Sequence, residues 1–432
     1  MARGRRERTD KRRGTVLGWI LIIPLLAALA VGGYAVYRAA AYWKDKVNAN
    51  IQTLSTPAVT PQPEPQPAQE TPQPEPMDAA VPDVQPVQEP GPEPEPSRVT
   101  LMALGDNLIH NCVYWSAELP DGGYDFTPFY ADIRPTVEDY DIACINQETI
   151  YVADPALYGN YPYFGSPTAV GDALSETGFD VVTEATNHCF DKGETGILDT
   201  IRFWRDEHPD MTVLGIHDSE ADAESVRVVE KNGIRIGMLN YTYGLNYGTP
   251  AKSYLVDTLS SRDKIADDIE RARAESDFVI VFAHWGEEGI YTPTDSQKSW
   301  AQFFADHGVG LVIGAHPHVV QPLETVTGTD GSEMPVFYSL GNFLSHQVDP
   351  QNMLGGLASV TLEKSPEGTV RVAECTLEPT INVMIYRGEH GRFDYRPMLL
   401  TDYTDELAAQ HHIPGCGVEQ MWALFRQITD EG

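Results

Sequence analysis

Leu311-Val312-Ile313-Gly314-Ala315-His316-Pro317-His318 is the stretch on which the fold turns. Residues 311–313 are apolar and mostly β-branched, the pattern of a buried strand. Gly314 and Ala315 are small, so the backbone there can turn tightly or approach a ligand closely. His316 and His318 follow, separated by Pro317, whose ring restricts φ and stiffens the turn. In open α/β sheets, ligands gather beyond the carboxyl ends of strands. Two imidazoles at such an end read as metal ligands, although on this segment alone a turn with two solvated histidines fits equally well.

The same arrangement recurs along the chain. Residues 99–104 form an apolar run ending in Gly105-Asp106, with His110 four residues on. Residues 141–145 end in Asn146-Gln147-Glu148. Residues 180–183 precede Asn187, His188 and Asp191, and residues 278–283 run into His284-Trp285. Between these runs, residues 193–207, 265–274 and 297–307 carry helical periodicity, with Ile197, Ile201 and Trp204 on one face of the first. Strands alternating with helices predict an α/β protein with a largely parallel sheet, whose carboxyl ends share one edge. Asp106, Glu148, Asn187, His188, His284, His316 and His318 would then converge. Each has a plainer reading, since Asn187 could cap the next helix and His284 could be a packed core histidine. The coincidence of position favours a site. Mixed carboxylate, amide and imidazole ligands suit divalent Mn, Zn, Fe or Mg. Two ions about 3.5–4 Å apart are the usual device for displacement at phosphorus or a carbonyl.

The rest of the composition bounds where such a site would work. Residues 1–14 are rich in Arg and Lys, and residues 15–37 carry no charge. That uncharged run is long enough to span a bilayer as a helix, with the basic tail in the cytoplasm and everything after it outside. A cleaved signal peptide has a shorter apolar region of about 7–15 residues, so a retained anchor is the reading. Residues 38–97 are polar and rich in Pro, Glu and Gln, a disordered stalk unable to bury a core. Residues 98–432 form the folded part. The formal charge of −33 repels nucleic acid, so an anionic envelope polymer would need a local positive feature, such as bound metal. The five cysteines are irregularly spaced and do not read as a disulfide framework.

Gly105-Asp106, Asn146-x-Glu148, Asn187-His188, His284-Trp285-Gly286, Gly314-x-His316-Pro317-His318 and Tyr338-Ser339-Leu340-Gly341-Asn342-Phe343 together resemble the motif set of CapA-type proteins. These are capsule and poly-γ-glutamate biosynthesis proteins related to the calcineurin-like metallophosphoesterases. The resemblance implies a four-layer α/β/β/α sandwich and a two-metal, hydrolase-type site. It implies Asp106 on the first metal, Glu148 bridging, Asn187 on the second metal, and His284, His316 and His318 completing the shells. His188 would be the acid, oriented by Asp191. The superfamily's Asp-x-His is Asp106-Asn107-Leu108 here, with no imidazole at the third position, and His110 is the candidate substitute ligand. Partners implied are poly-γ-glutamate synthase subunits; a non-catalytic polymer-binding role in the same complex is the alternative.

Softer expectations complete the reading. Asn240, Thr242 and Asn246 either line a substrate pocket or form a polar loop, and Asn342, after a strand, brings backbone near the site. His217 is a weaker candidate, while His208, His307, His411 and His412 read as solvated or capping residues. Residues 226–229 and 234–241 flank Asn232-Gly233, a hairpin signal. Residues 356–363 and 370–385 alternate like antiparallel strands and would complete the second sheet, and residues 404–428 read as one closing helix.

Overall fold

The structure, a computed structural model, describes residues 96–389 and 391–430. The basic tail, the anchor over 15–37 and nearly all of the stalk lie outside them. Among the described residues, no helix is long and apolar enough to cross a membrane.

The apolar run at 99–104 is the middle of β1 (Ser97–Asn107), which continues through Asp106. Beside it lie β2 (Ile142–Gln147), β3 (Val181–Thr183) and β4 (Thr212–Leu214), all parallel. The crossovers between them contain α1 (Ala169–Thr177) and α2 (Gly193–Glu207). Right-handed crossovers put both helices on one face of the sheet. They pack at Gly171, where any Cβ would lie 2.3 Å from the Phe203 ring.

A second sheet is built in the same way. Asn232 and Gly233, with φ of 50° and 77°, turn β5 (Arg227–Lys231) into β6 (Ile234–Thr242). Positive φ at both turn residues is what a two-residue hairpin of this twist requires. Parallel β7 (Phe278–His284) and β8 (Leu311–Ala315) follow, joined by α3 (Arg262–Glu275) and α4 (Asp295–Asp306). The chain then forms β9 (Val320–Thr327), β10 (Glu333–Leu340) and the short β11 (Asn342–Leu344). The final order is β5-β6-β7-β8-β10-β9.

The inner faces of the two sheets share one apolar core. Leu101, Ala103 and Cys144 of the first meet Ile236, Met238, Phe282 and Ile313 of the second. Each large apolar side chain removed from water there contributes about 1.5–3 kcal/mol before entropy. On the outer face of the second sheet, Ile265, Ile269 and Phe304 of α3 and α4 cover Val279, Val281 and Val312. The molecule is therefore a mixed α/β fold with two sheets.

Three expectations are corrected. The sheets are mixed, not largely parallel, because β9 and the C-terminal strands run antiparallel. The strands β12 (Leu354–Lys364), β13 (Val370–Tyr386) and β14 (Phe393–Leu399) do not complete the second sheet. They extend the first, with Val99 opposite Leu362 and Leu101 opposite Val360. Alternation along a strand says which face is buried, not which edge it joins. The closing helix is also interrupted: a four-residue turn of helix, Asp405–Ala408, precedes α5 (Val418–Asp430). Pro414 and Gly415, the latter at φ 90°, break the pattern between them. The cysteines are all free, and Cys144 is in the core, as expected.

Candidate metal centre

Sheet register brings the polar strand ends together. In the first sheet Asp106 is paired with Asn146, and Asn146 with Thr183. In the second, Thr242, His284 and Ala315 stand side by side. Neighbouring strand ends can approach this closely because Gly105 and Gly314 lack side chains. A Cβ on Gly105 would lie 2.0 Å from the Gly341 carbonyl oxygen, and one on Gly314 would lie 2.1 Å from that of Tyr338. Beyond Gly314, His316 and His318 both adopt positive φ, 97° and 57°. Such conformations cost non-glycine residues about 1–3 kcal/mol each and cluster at functional sites. Three contacts hold the turn. The Pro317 carbonyl accepts from the Gly289 N–H at 2.8 Å, the His318 carbonyl accepts from Asn352 Nδ2 at 2.9 Å, and the His316 N–H donates to Asp106 Oδ1 at 3.3 Å.

Glu148 is the centre of the cluster. It is fully buried, and neither carboxylate oxygen has a hydrogen-bond partner. A buried carboxylate left so costs several kcal/mol unless a cation compensates. His318 Nε2 lies 3.7 Å from Glu148 Oε1, and His284 Nε2 lies 3.8 Å from it. His316 Nδ1 is likewise buried without a partner. One donor atom each from Glu148, His316 and His318 fall within 4.8 Å of one another. Asn187 accepts from His284 Nε2 at 2.7 Å, and its own Nδ2 is unpartnered. The donor set fits a divalent ion on these grounds.

Asp106 is placed differently. Its Oδ2 lies 2.9 Å from His318 Nδ1, and its Oδ1 accepts from Asn146 Nδ2 at 2.8 Å. Through the first contact it fixes the ring of His318 so that Nε2 faces Glu148. Asn342 does the same work, with Oδ1 at 3.1 Å from His318 Nδ1 and its amide donating to Gln347 Oε1 and the Asn352 carbonyl. Asn146 belongs to the Asn-x-Glu motif, but no role for it followed from sequence. It links Asp106 to Thr183 and lies 3.5 Å from His284 Nδ1.

Burial and neighbouring charge set the protonation states. Burial pushes the Glu148 carboxyl well above its usual range, and Asp106 adds to this. Burial, then the neighbouring imidazoles, holds His284 and His316 well below the usual histidine range, so both are neutral donors. Burial also acts to lower His318, but Glu148 and Asp106 outweigh it and raise the group to about 10.

His188 sits beside this cluster. Its Nδ1 lies 2.7 Å from Asp191 Oδ2, which also accepts from the Phe164 N–H at 2.8 Å. Its Nε2 is 3.4 Å from Asn246 Nδ2, and its ring meets the edge of Phe164 with centroids 4.7 Å apart. Tyr243, within the polar stretch 240–246, sets its ring against His316 with centroids 4.6 Å apart.

Other expected residues are elsewhere or otherwise engaged. Asn240 accepts from the Ala185 N–H and donates to the Phe282 carbonyl, and Thr242 donates to the Gly244 carbonyl; both are buried and hold backbone. His110 has Nδ1 within 3.2 Å of the Leu108 carbonyl and of the His346 N–H. His217 is clasped by Asp257 and Asp222 at 2.7 and 3.4 Å, in an ion-pair cluster of its own. His307 caps α4 through the Phe303 carbonyl, as expected.

A family model described as bacterial capsule synthesis protein PGA_cap matches residues 100–347. The chain is 31% identical over 200 residues to the PGA biosynthesis protein CapA of Bacillus subtilis, covering 46% of this chain and 51% of that protein. It is 31% identical over 180 residues to the capsule biosynthesis protein CapA of Bacillus anthracis, covering 40% and 42%. The chain thus spans about half the length, or less, of these curated relatives. Among solved structures, a 5'-nucleotidase precursor from Thermus thermophilus superposes with a TM-score of 0.43 at 13% identity, covering 76% of this chain and 58% of that one. That likeness is too loose to bear on the site.

Proposed function

The chain belongs to the bacterial capsule synthesis protein PGA_cap family, and from that premise we propose that it is a membrane-anchored, extracytoplasmic, metal-dependent hydrolase-type component of capsule or poly-γ-glutamate synthesis or export. The observation that carries this reading is the meeting of unpartnered buried ligand atoms: both oxygens of Glu148 and His316 Nδ1, with His318 Nε2 turned toward them. Glu148, His316 and His318 would hold a divalent ion, with Asn187 and His284 on its flank. A second ion beside Asp106 belongs to the same proposal. When bound, such ions supply Lewis-acid polarisation and bring the pKa of adjacent water toward neutrality.

The protein's own groups do the rest. Asp191 accepts from His188 Nδ1, which fixes the ring and leaves Nε2 to carry the transferable proton. Protonated at Nε2, His188 gives that proton to a leaving group of the envelope polymer and is recharged from solvent. Asn246 Nδ2 lies 3.4 Å from the same nitrogen and can donate to it once the proton has left. Asp106, Asn146 and Asn342 fix the imidazole of His318.

Elemental analysis of the purified full-length chain tests the first half. His316→Ala and Glu148→Ala are each expected to lower bound divalent metal at least about tenfold, since removing a ligand or its support typically costs that much. Wild-type metal content in both variants would sink the assignment. His188→Asn is expected to keep metal but lose chelator-sensitive turnover of poly-γ-glutamate or model phosphodiesters, by about 100-fold or more.

A second reading, a non-catalytic polymer-binding subunit of a synthase or export complex, draws on one departure. Leu108, buried, stands where the resemblance expects an imidazole ligand. Bound metal without turnover of either substrate class in the wild-type chain would favour it.

A further inference from the structure

Lys192 stands one residue beyond Asp191, the carboxylate that holds His188, and immediately before the first turn of α2. Its side chain crosses the neck of a loop, residues 158–166. A Cβ on Gly165 would lie 2.6 Å from Lys192 Cε, and one on Gly159 would lie 2.9 Å from its Nζ. The two glycines are paired with each other, the Gly159 N–H donating to the Gly165 carbonyl at 3.0 Å. Without side chains there, the neck leaves a path for the lysine stem. The same loop reaches the centre through Phe164, which packs on His188 and donates its N–H to Asp191. A second loop, residues 243–250, meets the first where Tyr247 touches Tyr163, with ring centroids 5.0 Å apart.

The chain carries 63 acidic residues against 30 Lys and Arg, yet the charge of Lys192 is left unanswered. Among the described residues its Nζ makes no ion pair and no hydrogen bond, whereas Lys252, just past the second loop, is paired with Glu194. Asp191 is the acid that acts on it, but Asp191 Oδ2 is taken by His188 and the Phe164 N–H. Partial burial holds the Lys192 ammonium below the usual lysine range, against the effect of Asp191. An ammonium so placed is stabilised when an outside anion pairs with it. The centre is positive in its own right, through the ion that Glu148, His316 and His318 would hold or, without it, through His318, which Glu148 and Asp106 keep charged. One anionic group of a bound chain would go there. A polymer whose charges repeat must then place the next one close by. Neither loop contains an ionisable group other than tyrosine, so Lys192 supplies the cation at the edge of that neutral surface.

We propose that Lys192 is a specificity-determining residue of this site, its ammonium taking a carboxylate of poly-γ-glutamate that neighbours the group held at the centre. The site then selects a chain of repeated negative charge over a single small anion. The inference rests on the reading of the centre as one that handles this polymer, and it names the residue that reads the polymer's second charge.

Calorimetric titration of the purified full-length chain, in its metal-loaded form, with poly-γ-glutamate tests this. Lys192→Gln is expected to weaken binding by about three- to tenfold, the worth of a charge-assisted contact at a partly exposed position, with bound metal unchanged. Lys192→Arg, which keeps the charge, is expected to stay near wild type. Added salt is expected to weaken the wild type more than Lys192→Gln, because screening acts on the charge that the variant lacks. Unchanged affinity in Lys192→Gln, or an equal loss in Lys192→Arg, would overturn the inference. So would a loss seen with polyglycerol phosphate but not with poly-γ-glutamate. A wild-type chain that holds metal yet binds no poly-γ-glutamate would overturn it and leave the metal centre standing. Failure of the centre itself is read separately, from metal content in His316→Ala and Glu148→Ala.

Discussion

Glu184 shows how far one side chain can depart from its solution behaviour. It is buried beside α2, where it accepts from the Trp204 indole N–H at 3.0 Å. Burial raises its carboxyl from 4.5 to about 8, against the effect of the indole. The unfolded chain releases this proton near 4.5, whereas the folded chain keeps it until about 8. Between those values the native state binds more protons, so stability falls as pH rises through the window. Glu184→Gln keeps an acceptor for the indole and removes the titration. Its unfolding free energy is expected to decline less than wild type between about pH 5 and about pH 9, measured by urea unfolding of both proteins. Equal slopes would show that another group carries the effect. Burial of this kind is invisible in sequence, because Glu184 follows a strand end just as Glu148 follows another. Only the neighbours make one a partner of Trp204 and the other a metal-competent carboxylate.

Strands and helices are where the sequence was most legible. Continuous apolar runs marked most strands of both parallel cores, the bounds of α2 matched, and Asn232-Gly233 turned the hairpin as its chemistry demands. These signals are local, set by side-chain period and backbone preference. What they missed was partnership. Nothing local told β12 to pair with β1, or placed Tyr338–Leu340 at the end of β10 and Asn342 at the start of β11. The close approach of β8 and β10 at Gly314 gives this level its own test. Gly314→Ala would drive a Cβ against the Tyr338 carbonyl and, at 2.7 Å, against Trp285 Nε1. Overpacking of this kind costs about 1–3 kcal/mol, and more where backbone must shift. The variant is expected to melt several degrees lower and to retain less metal, since His316 and His318 hang from the same strand end. A wild-type melting temperature with full metal content would show the spacing to be slack.

For the whole molecule, the charge distribution and the uncharged run at 15–37 lead to the proposal of a tethered domain outside the cytoplasm. Deleting residues 15–37 is expected to move the chain from the membrane pellet to the soluble fraction on ultracentrifugation. Recovery of the intact full-length chain in the soluble fraction would refute the anchor. The sequence by itself determined which residue types stand at the strand ends, because strand, turn and ligand chemistry are each written within a few residues. The tertiary structure decided which of them meet. Two sheets closing on one core bring Glu148 against His316 and His318, turn Asp106 and Asn342 into braces for His318, and give Asn240 to the backbone. Those outcomes depend on register and packing between segments far apart in the chain, and no local pattern encodes the distance between them.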